Sequence, residues 1–334
     1  MLRLSGALLA TLLVGGISLS RSIGHSGRLL VANQSDRTLS VIDTQAGQQI
    51  AAVPEGGITG HEVAASPDGK TAYVPIYGNS GVGRPGTDGS NMVVIDIHSC
   101  KVVGNVDFGH GVRPHAAVFG PRNGLLYITT ELDKSVTIID PHSLKIVGSV
   151  PTGQTESHML AISHDGSRGY TANVGPGTVS VLDLNAKKTL AIIPISKTTQ
   201  RISISPDDSM VFTADQTKPQ LAVIDTSTNK VKTWIPLSAP GYGTRSTHDG
   251  RWLIVAVPKA NQAAIVDLKT LTVVHTVDVP PAPQEVLVSP DDKVAYVSCN
   301  ASHKIAAIDT SNWQVEKLID AGKGADGLAW APSK

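Results

Sequence analysis

The sequence predicts an all-β fold, a seven-bladed β-propeller with four strands in each blade. An apolar residue followed by Asp recurs at intervals of 53, 44, 43, 42, 42 and 42 residues. The seven pairs are Ile42-Asp43, Ile95-Asp96, Ile139-Asp140, Leu182-Asp183, Ile224-Asp225, Val266-Asp267 and Ile308-Asp309. A turn of the Ser66-Pro67-Asp68-Gly69 type recurs at the same period. A period of ~40–45 residues holding four short strands is typical of a propeller blade.

The strands of a repeat follow one another in a fixed order. The first strand ends at the Ser-Pro-Asp-Gly turn, where Pro presets φ and Asp and Gly suit the later turn positions. The second strand contains an aromatic residue, as in 170–173. The third alternates between polar and apolar residues and ends at the recurring Asp, as in 178–183. The fourth resembles 145–150, and β-branched residues dominate all four.

The two ends of the chain predict how the ring closes. The 25 residues after Asp309 and the 16 residues from Arg28 to Asp43 together make one period. We therefore expect the C-terminus to supply the innermost strand of the seventh blade and the N-terminus its outer strands. This arrangement removes the open edge that a broken ring would expose. The predicted domains are a signal peptide with an N-terminal tail, residues 1–27, and a single propeller, residues 28–334.

Composition narrows the class of protein. Lys plus Arg and Asp plus Glu both total 28, so the net charge is zero and nucleic-acid binding is not expected. The two cysteines and the lack of Cys-x-x-Cys-His predict no covalent haem. Arg3 followed by an apolar run from Ala7 to Leu19 is the layout of a secretory signal. This predicts a periplasmic or secreted protein with no transmembrane domain after signal removal; an uncleaved anchor is the alternative.

One position at the start of each innermost strand differs between the repeats and is polar in all seven. It lies five residues before the Ser of the turn, and we call these residues the rim residues: His61, His115, His158, Gln200, Tyr242, Gln284 and Asp326. Because innermost strands surround the axial channel, the rim residues are expected at its mouth. Three consecutive repeats carry His, so the histidines are the first candidates for a site.

A second ring and a long loop fall at the same mouth. Sixteen residues after each rim residue, where the second strand ends, the chain places Tyr77 and Glu131 in the first two repeats and Gln34 in the last. Antiparallel pairing predicts that Glu131 lies beside His115. The first repeat also carries ten extra residues within Gly78–Asn91. Such a loop is usually functional or disordered, so it is either a cover over the mouth or a flexible decoration.

Neutral imidazoles with one carboxylate suit a divalent transition metal, Zn²⁺, Cu²⁺ or Fe²⁺. The metal hypothesis takes His61, His115, His158 and Glu131 as ligands, with Glu131 and His115 also as catalytic residues. Five further polar positions of the two rings are predicted to bind ligand: Tyr77, Gln200, Tyr242, Gln284 and Asp326. The candidates for the layer of residues around the metal ligands are Glu62, His110, Arg113 and Glu156. The alternative is a rim of solvated histidines without a metal.

The repeat resembles the YVTN β-propeller family. The residues that carry the resemblance are Tyr170-Thr171-Ala172-Asn173, Ser66-Pro67-Asp68-Gly69 and Val223-Ile224-Asp225. It covers residues 28–334 and is specific for the fold. Members of such propeller groups include binding proteins, lactonases, lyases and oxidoreductase subunits, so the function has to come from the site.

A narrower resemblance concerns the rim. Pro114-His115, followed by Glu131-Leu132, is similar to a motif of propeller lactonases and muconate-lactonising enzymes. It implies acid–base roles for His61 and Glu131, although His115 stands where that group tends to have Arg. Arg201 and Arg245 could bind an anion, but neither is a rim residue.

Three hypotheses of function remain. One is an exported hydrolase, lyase or lactonase that acts on a small polar molecule. The second is a non-catalytic propeller that binds a small-molecule ligand or a protein partner at the channel mouth. The third is a docking partner for an electron-transfer protein.

Overall fold

Each predicted repeat folds into one antiparallel four-stranded sheet, and seven such sheets are arranged as the blades of a propeller. The structure, a computed structural model, describes residues 27–79 and 81–333. The predicted all-β, seven-bladed fold is confirmed within them. The predicted signal peptide lies outside the described residues, apart from Gly27.

The strands are numbered in chain order. Blade 7 contains β1 (Gly27–Asn33), β2 (Thr38–Asp43) and β3 (Gln48–Pro54). Blade 1 contains β4 (Ala64–Ala65), β5 (Thr71–Gly78), β6 (Asp88–Asp96) and β7 (Lys101–Asp107). Blade 2 contains β8 (Pro114–Phe119), β9 (Leu126–Thr130), β10 (Ser135–Asp140) and β11 (Lys145–Pro151). Blade 3 contains β12 (Ser157–Ile162), β13 (Arg168–Asn173), β14 (Thr178–Asp183) and β15 (Lys188–Pro194).

The remaining blades follow the same order. Blade 4 contains β16 (Thr199–Ile204), β17 (Met210–Asp215), β18 (Gln220–Asp225) and β19 (Lys230–Pro236). Blade 5 contains β20 (Thr244–Ser246), β21 (Trp252–Val257), β22 (Gln262–Asp267) and β23 (Thr272–Asp278). Blade 6 contains β24 (Pro283–Val288), β25 (Val294–Cys299), β26 (Lys304–Asp309) and β27 (Gln314–Asp320). β28 (Ala325–Pro332) completes blade 7, and 3₁₀ turns follow β21 (Pro258–Ala260) and β25 (Asn300–Ser302).

The ring closes through the two ends of the described chain, as the sequence predicts. β28 is the innermost strand of blade 7 and pairs antiparallel with β1, with Leu29 opposite Trp330. Leu29 and Leu30 are fully buried beside this seam. The seam satisfies the backbone groups of β1 that would otherwise form an open sheet edge.

The innermost strands are irregular at the rim. In β8, β12, β16 and β24, and in the β28–β1 pair, the ladder shifts register at the rim residue. In β16, for example, Thr199 and Ile202 are paired while the two residues between them are not. A β-bulge bends the strand and redirects the side chains that it releases from the ladder. Two consecutive residues can therefore both face the channel.

The recurring Asp has a structural role. Oδ1 of Asp225 accepts hydrogen bonds from the backbone N–H groups of Ser227 and Thr228, and Asp183 and Asp267 bind their own turns in the same way. The hydroxyl of Ser227 also donates to Asp225, and these bonds lower the pKa of its carboxyl. The Asp therefore closes the turn between the third and fourth strands, which explains why every repeat keeps it.

Glu55 anchors the segment that leads into blade 1 by a hydrogen bond. Its Oε2 accepts a hydrogen bond from the Gly60 N–H at 2.8 Å, while Oε1 is buried without a partner among the described residues. The side chain is 1% exposed, and burial raises the pKa of its carboxyl from 4.5 to about 7. The charged form is thus disfavoured in the folded protein.

We expect Glu55→Gln to stabilise the protein above pH 7. The folded pKa of Glu55 exceeds its unfolded pKa, so the wild type loses stability as pH rises from about 4.5 to about 7. Gln keeps an acceptor for Gly60 and carries no charge. The gain in unfolding free energy at pH 8 should be about 1–3 kcal/mol, measured by urea denaturation. It should vanish at pH 4, and an equal gain at both pH values would contradict the explanation.

A chain that ends at Gly324 should lose the cooperative unfolding transition of the whole ring. Without β28, β1 loses the strand with which it pairs, and the channel wall loses the innermost strand of blade 7. Circular dichroism melting and size-exclusion chromatography measure the effect, with a chain that lacks only residues 333–334 as the control. Retention of the wild-type melting temperature in the shorter chain would show that the seam is dispensable.

Candidate functional site

The three rim histidines meet at the mouth of the channel. The ring centroids of His115 and His158 are 3.5 Å apart, and those of His61 and His115 are 5.4 Å apart. Blades 1, 2 and 3 each contribute one imidazole, from the same register of the repeat. The predicted convergence of His61, His115 and His158 is thus what the structure shows.

Glu131 and Tyr77 hold the cluster from behind. Nδ1 of His158 pairs with Oε1 of Glu131, and the Tyr77 hydroxyl donates to Oε2 of Glu131 at 2.8 Å. Tyr77 is fully buried, and its ring lies within 4.8–5.7 Å of all three imidazoles by centroid. Glu131 contacts His158 of blade 3, whereas the sequence places it beside His115. Its carboxylate fixes the orientation of the His158 ring, as second-layer carboxylates do for ligating histidines.

Two glutamines select the tautomers of the outer imidazoles. The Gln34 amide donates to Nε2 of His61 at 2.9 Å, and the Gln200 amide donates to Nε2 of His158 at 3.2 Å. Each Nε2 therefore carries a lone pair, and the ring proton is on Nδ1. In His158 that proton is donated to Glu131. Nδ1 of His115 is buried and has no hydrogen-bond partner within the described part of the chain.

Two of the three imidazoles, those of His61 and His115, are uncharged at neutral pH. Burial is the main cause that lowers the pKa of His61 from 6.5 to about 3, and the positive charge of Arg201 lowers it further. Burial likewise lowers the pKa of His115 well below its usual value. Neutral imidazole is the form that ligates metals and haem iron, because its ring nitrogen keeps a free electron pair.

The mouth encloses a cavity of about 270 Å³. Besides the three histidines, its lining includes rim residues predicted to bind ligand: Gln200, Tyr242, Gln284 and Asp326. Tyr77, also predicted to bind ligand, lies behind the histidines and does not line this cavity. Among the outer candidates, His110 pairs with Asp133 on the exposed surface.

The long loop of blade 1 covers the mouth. Its base closes where Asn79 and Thr87 exchange hydrogen bonds, and Gly81 and Val82 line the cavity beneath. Arg113 holds the loop: Nε donates to Asp88 at 2.6 Å, and Nη2 donates to the Arg84 carbonyl at 2.7 Å. Of the two sequence-based interpretations, a cover over the mouth is the one observed.

A second cavity, of about 350 Å³, lies on the other side of the loop. Its walls include three cations, Arg84, Arg113 and Lys134, and two carboxylates, Glu131 and Glu156. Gly83 of the loop lines it as well, whereas the neighbouring Gly81 and Val82 line the first cavity. The loop is therefore the partition between the two cavities.

Below the histidines, a buried guanidinium crosses the channel. Arg201 pairs with Glu62 and with Glu285 (2.7 Å) and Asp326 (2.7 Å), which come from three other blades. Its Cζ lies 4.9 Å from the centroid of the Tyr242 ring. We call Arg201, Glu62, Glu285 and Asp326 the Arg201 layer. Each of its side chains is less than 10% exposed.

The pKa values of all three carboxyls around the guanidinium are raised. Burial raises the pKa of Glu62 to about 8, because the repulsion from Glu285 and Asp326 adds to burial and outweighs the attraction of Arg201. Burial also raises the pKa of Glu285 and of Asp326. At neutral pH the layer therefore carries less negative charge than its composition suggests.

Small residues make room for the Arg201 layer. Three of its four members occupy the position directly after the rim residue. At that position blades 5 and 7 have Gly243 and Gly327. A Cβ on Gly327 would lie 2.6 Å from Oε2 of Glu62, and one on Gly243 would lie 2.2 Å from the Gln284 carbonyl.

The sequence interpretation missed Arg201 and Glu285. It set Arg201 aside as out of register and considered Glu62 only for the surroundings of a metal. The signal was present: Glu62, Arg201 and Glu285 all directly follow a rim residue. No group of three or more His, Cys, Asp and Glu side chains in residues 27–79 and 81–333 is placed so that it could hold a metal ion. The catalytic roles of Glu131 and His115 stay predictions.

Solved structures share this fold at low sequence identity. Hydrazine synthase of Kuenenia stuttgartiensis has 18% identity and a TM-score of 0.73, covering 90% of this chain and 99% of that one. A functionally unknown protein from Desulfotomaculum acetoxidans has 13% identity and a TM-score of 0.76, covering 92% and 100%. Dihydro-heme d1 dehydrogenase NirN in complex with DHE has 16% identity and a TM-score of 0.66, covering 90% and 74%. At these identities the likeness shows the fold alone.

A search of curated protein sequences finds no match. In the described part of the chain, no helix is long and apolar enough to span a membrane. The resemblance to YVTN propellers is confirmed as far as the seven-bladed fold. The YVTN assignment and the likeness to lactonases stay predictions.

A model of the cytochrome D1 heme domain matches residues 120–331, which is more than half of the chain. This finding corrects the expected cofactor. The prediction of a divalent Zn, Cu or Fe ion and no covalent haem is wrong, because the family is defined by a haem domain. The error has a chemical reason, since neutral imidazoles serve divalent ions and haem iron equally well as ligands. The chain belongs to the cytochrome D1 heme domain family.

Proposed function

We propose that this protein binds a haem-related tetrapyrrole at the channel mouth. The observation that carries the proposal is the convergence of three rim histidines on one cavity, in a chain of a haem-domain family. One solved structure of the same fold, NirN, is described in complex with DHE, and its name refers to heme d1. A bound haem would supply an iron that exchanges electrons and takes small axial ligands.

The donor chemistry of the mouth fits such a group. His115 is the strongest candidate to hold the iron, because its Nδ1 is buried without a partner among the described residues and burial keeps the ring neutral. His61 and His158 already accept amide hydrogen bonds at Nε2. They are suited to donate or accept hydrogen bonds beside the bound group, and Glu131 holds the His158 ring in place.

Basic residues on the far side of the loop complement the acidic groups of a tetrapyrrole. Arg84 and Lys134 line the 350 Å³ cavity. Guanidinium and ammonium groups form charge-assisted hydrogen bonds with carboxylates. Imidazoles on one side of the loop and cations on the other therefore match a ligand with a central metal and carboxylates at its edge.

The size of the mouth requires the loop to move. Ligand cavities usually measure ~300–1,000 Å³, and the closed mouth measures about 270 Å³. Displacement of Gly81–Pro85 would join this cavity to the one beside it. The loop is anchored mainly through the Arg113 side chain, so its opening breaks few contacts.

The site geometry favours binding over the predicted hydrolase, lyase or lactonase activity. Glu131, the expected general base, is 2% exposed and already bonded to His158 and Tyr77. This geometry suits a residue that positions the His158 ring rather than a general base. The non-catalytic alternative, binding of a small molecule or a protein partner at the mouth, agrees with the same contacts.

We also propose that the protein works in the periplasm or outside the cell. The support is the sequence of residues 1–27, with Arg3 before an apolar stretch. These residues, except Gly27, are outside the described part of the chain.

We expect hemin to bind the purified protein saturably, with a Soret band shift, and His115→Ala to weaken this binding about tenfold or more. The loss arises because the variant lacks the imidazole proposed to hold the iron. Absorbance titration measures it. His142→Ala, which removes an exposed histidine from an outer turn, is the matched control. Iron-free protoporphyrin should bind the wild type and both variants with the same affinity. Equal hemin affinity of the wild type and His115→Ala would refute the assignment.

Arg113→Ala should speed both association and dissociation of hemin by about tenfold. The variant removes the hydrogen bonds from Arg113 to Asp88 and to the Arg84 carbonyl, so the loop opens more often. Stopped-flow absorbance measures both rates. Arg122→Ala, which removes an exposed guanidinium that lines neither cavity, is the control and should leave both rates near the wild-type values. Unchanged rates in Arg113→Ala would mean that the loop does not control entry.

A further inference from the structure

The axial channel has a second compartment below the Arg201 layer. Its volume is about 680 Å³, within the ~300–1,000 Å³ of ligand cavities. It extends from Glu62 and Glu285 to Pro206 and Pro290, which belong to the turns at the face opposite the mouth. Arg201 and Asp326 line the mouth cavity, whereas Glu62 and Glu285 line this one. The Arg201 layer is therefore the partition between the two compartments, and we call the second one the lower channel.

Most of the side chains that line the lower channel are apolar, and the polar ones include His164 and His248 at its outer end. Side chains such as Phe119, Leu160, Ile162, Leu287 and Trp330 line it. Phe119 and Trp330 are partly exposed, as expected for aromatic rings that border an open space. An apolar wall of this size gains free energy when it buries an apolar ligand.

One cation interrupts this wall. Three residues after the rim residue, every blade contributes a lining residue, and these are Ala64, Val118, Ala161, Ser203, Arg245, Leu287 and Ala329. Six of the seven are small or apolar, and blade 5 alone carries a charge. A structural need of the repeat does not explain Arg245, because the other blades fold without a charge at the same position.

Arg245 is available to a ligand. It is exposed, and it forms no hydrogen bond or salt bridge with residues 27–79 and 81–333. The charge of Arg245 acts on the carboxyl of Glu285, which is already bonded to Arg201 at 2.7 Å. A guanidinium in a concave wall attracts an anion more strongly than one on a flat surface, because a cleft focuses the electric field of the charge.

We propose that the lower channel binds an amphipathic carboxylate, with its acid group at Arg245 and its apolar part along the wall. The Arg201 layer separates this site from the histidine mouth, and the proposal does not depend on the tetrapyrrole at the mouth. Arg245 supplies the paired N–H donors that a carboxylate accepts.

Isothermal titration calorimetry of the full chain with decanoate tests the proposal. We expect saturable binding to the wild type, and Arg245→Gln should weaken it about tenfold or more, the change that loss of a charge-assisted hydrogen bond produces. Arg251→Gln is the matched control, because Arg251 is an exposed guanidinium that stacks on Trp252 and does not line the lower channel. Decyltrimethylammonium has the same chain with the opposite charge and should bind more weakly than decanoate.

Two further variants separate this site from the mouth. Ala161→Phe narrows the lower channel and should weaken decanoate binding, whereas His115→Ala should leave it unchanged. Arg245→Gln should in turn bind hemin as the wild type does, so failure of one site is distinguishable from failure of the other. Absence of decanoate binding, equal affinity in Arg245→Gln, or loss of decanoate binding in His115→Ala would each overturn the proposal.

Discussion

The Arg201 layer is the interaction on which the organisation of the channel depends. A guanidinium that is almost fully buried is costly to desolvate, and the cost is offset only when carboxylates and hydrogen bonds surround it. Here the partners come from blades 1, 6 and 7, while Arg201 belongs to blade 4. The ion pairs therefore cross the axis and set how closely these innermost strands approach. Gly243 and Gly327 supply the space that the layer needs.

The layer divides one channel into two environments with different chemistry. Above it, histidines, glutamines and a tyrosine surround a small polar cavity beneath a loop that Arg113 anchors. Below it, an apolar wall surrounds a larger cavity with one free guanidinium. The charge of Arg201 also contributes to the low pKa of His61 and His115. The partition thus helps to keep these two imidazoles neutral.

The sequence predicts the fold well because each repeat of the sequence corresponds to one blade. The Asp that closes each outer turn and the Ser-Pro-Asp-Gly turn mark every blade, and the fragments at the two ends complete one period. The convergence of His61, His115 and His158 follows from their shared register. The position of Arg201 does not follow, because strict alternation along a strand would point it away from the channel. The β-bulge at the rim breaks that alternation, and its one sign in the sequence is the charged residue that directly follows the rim residue in three repeats.

The identity of the bound group could not be predicted for a different reason. Neutral imidazoles hold divalent ions and haem iron equally well, so the donor set alone does not distinguish them. Tyr77 and Glu131 were expected at the ligand, yet their burial behind the histidines depends on side-chain packing, which the spacing of residues does not record.

Pulsed electron paramagnetic resonance of the hemin complex, prepared with ¹⁵N-labelled histidine, tests the central claim most directly. Ligation by a rim imidazole predicts a strong ¹⁵N coupling to the iron that is present in the wild type and absent in His115→Ala. An iron signal that does not change with histidine labelling would contradict the assignment of a haem site to the channel mouth.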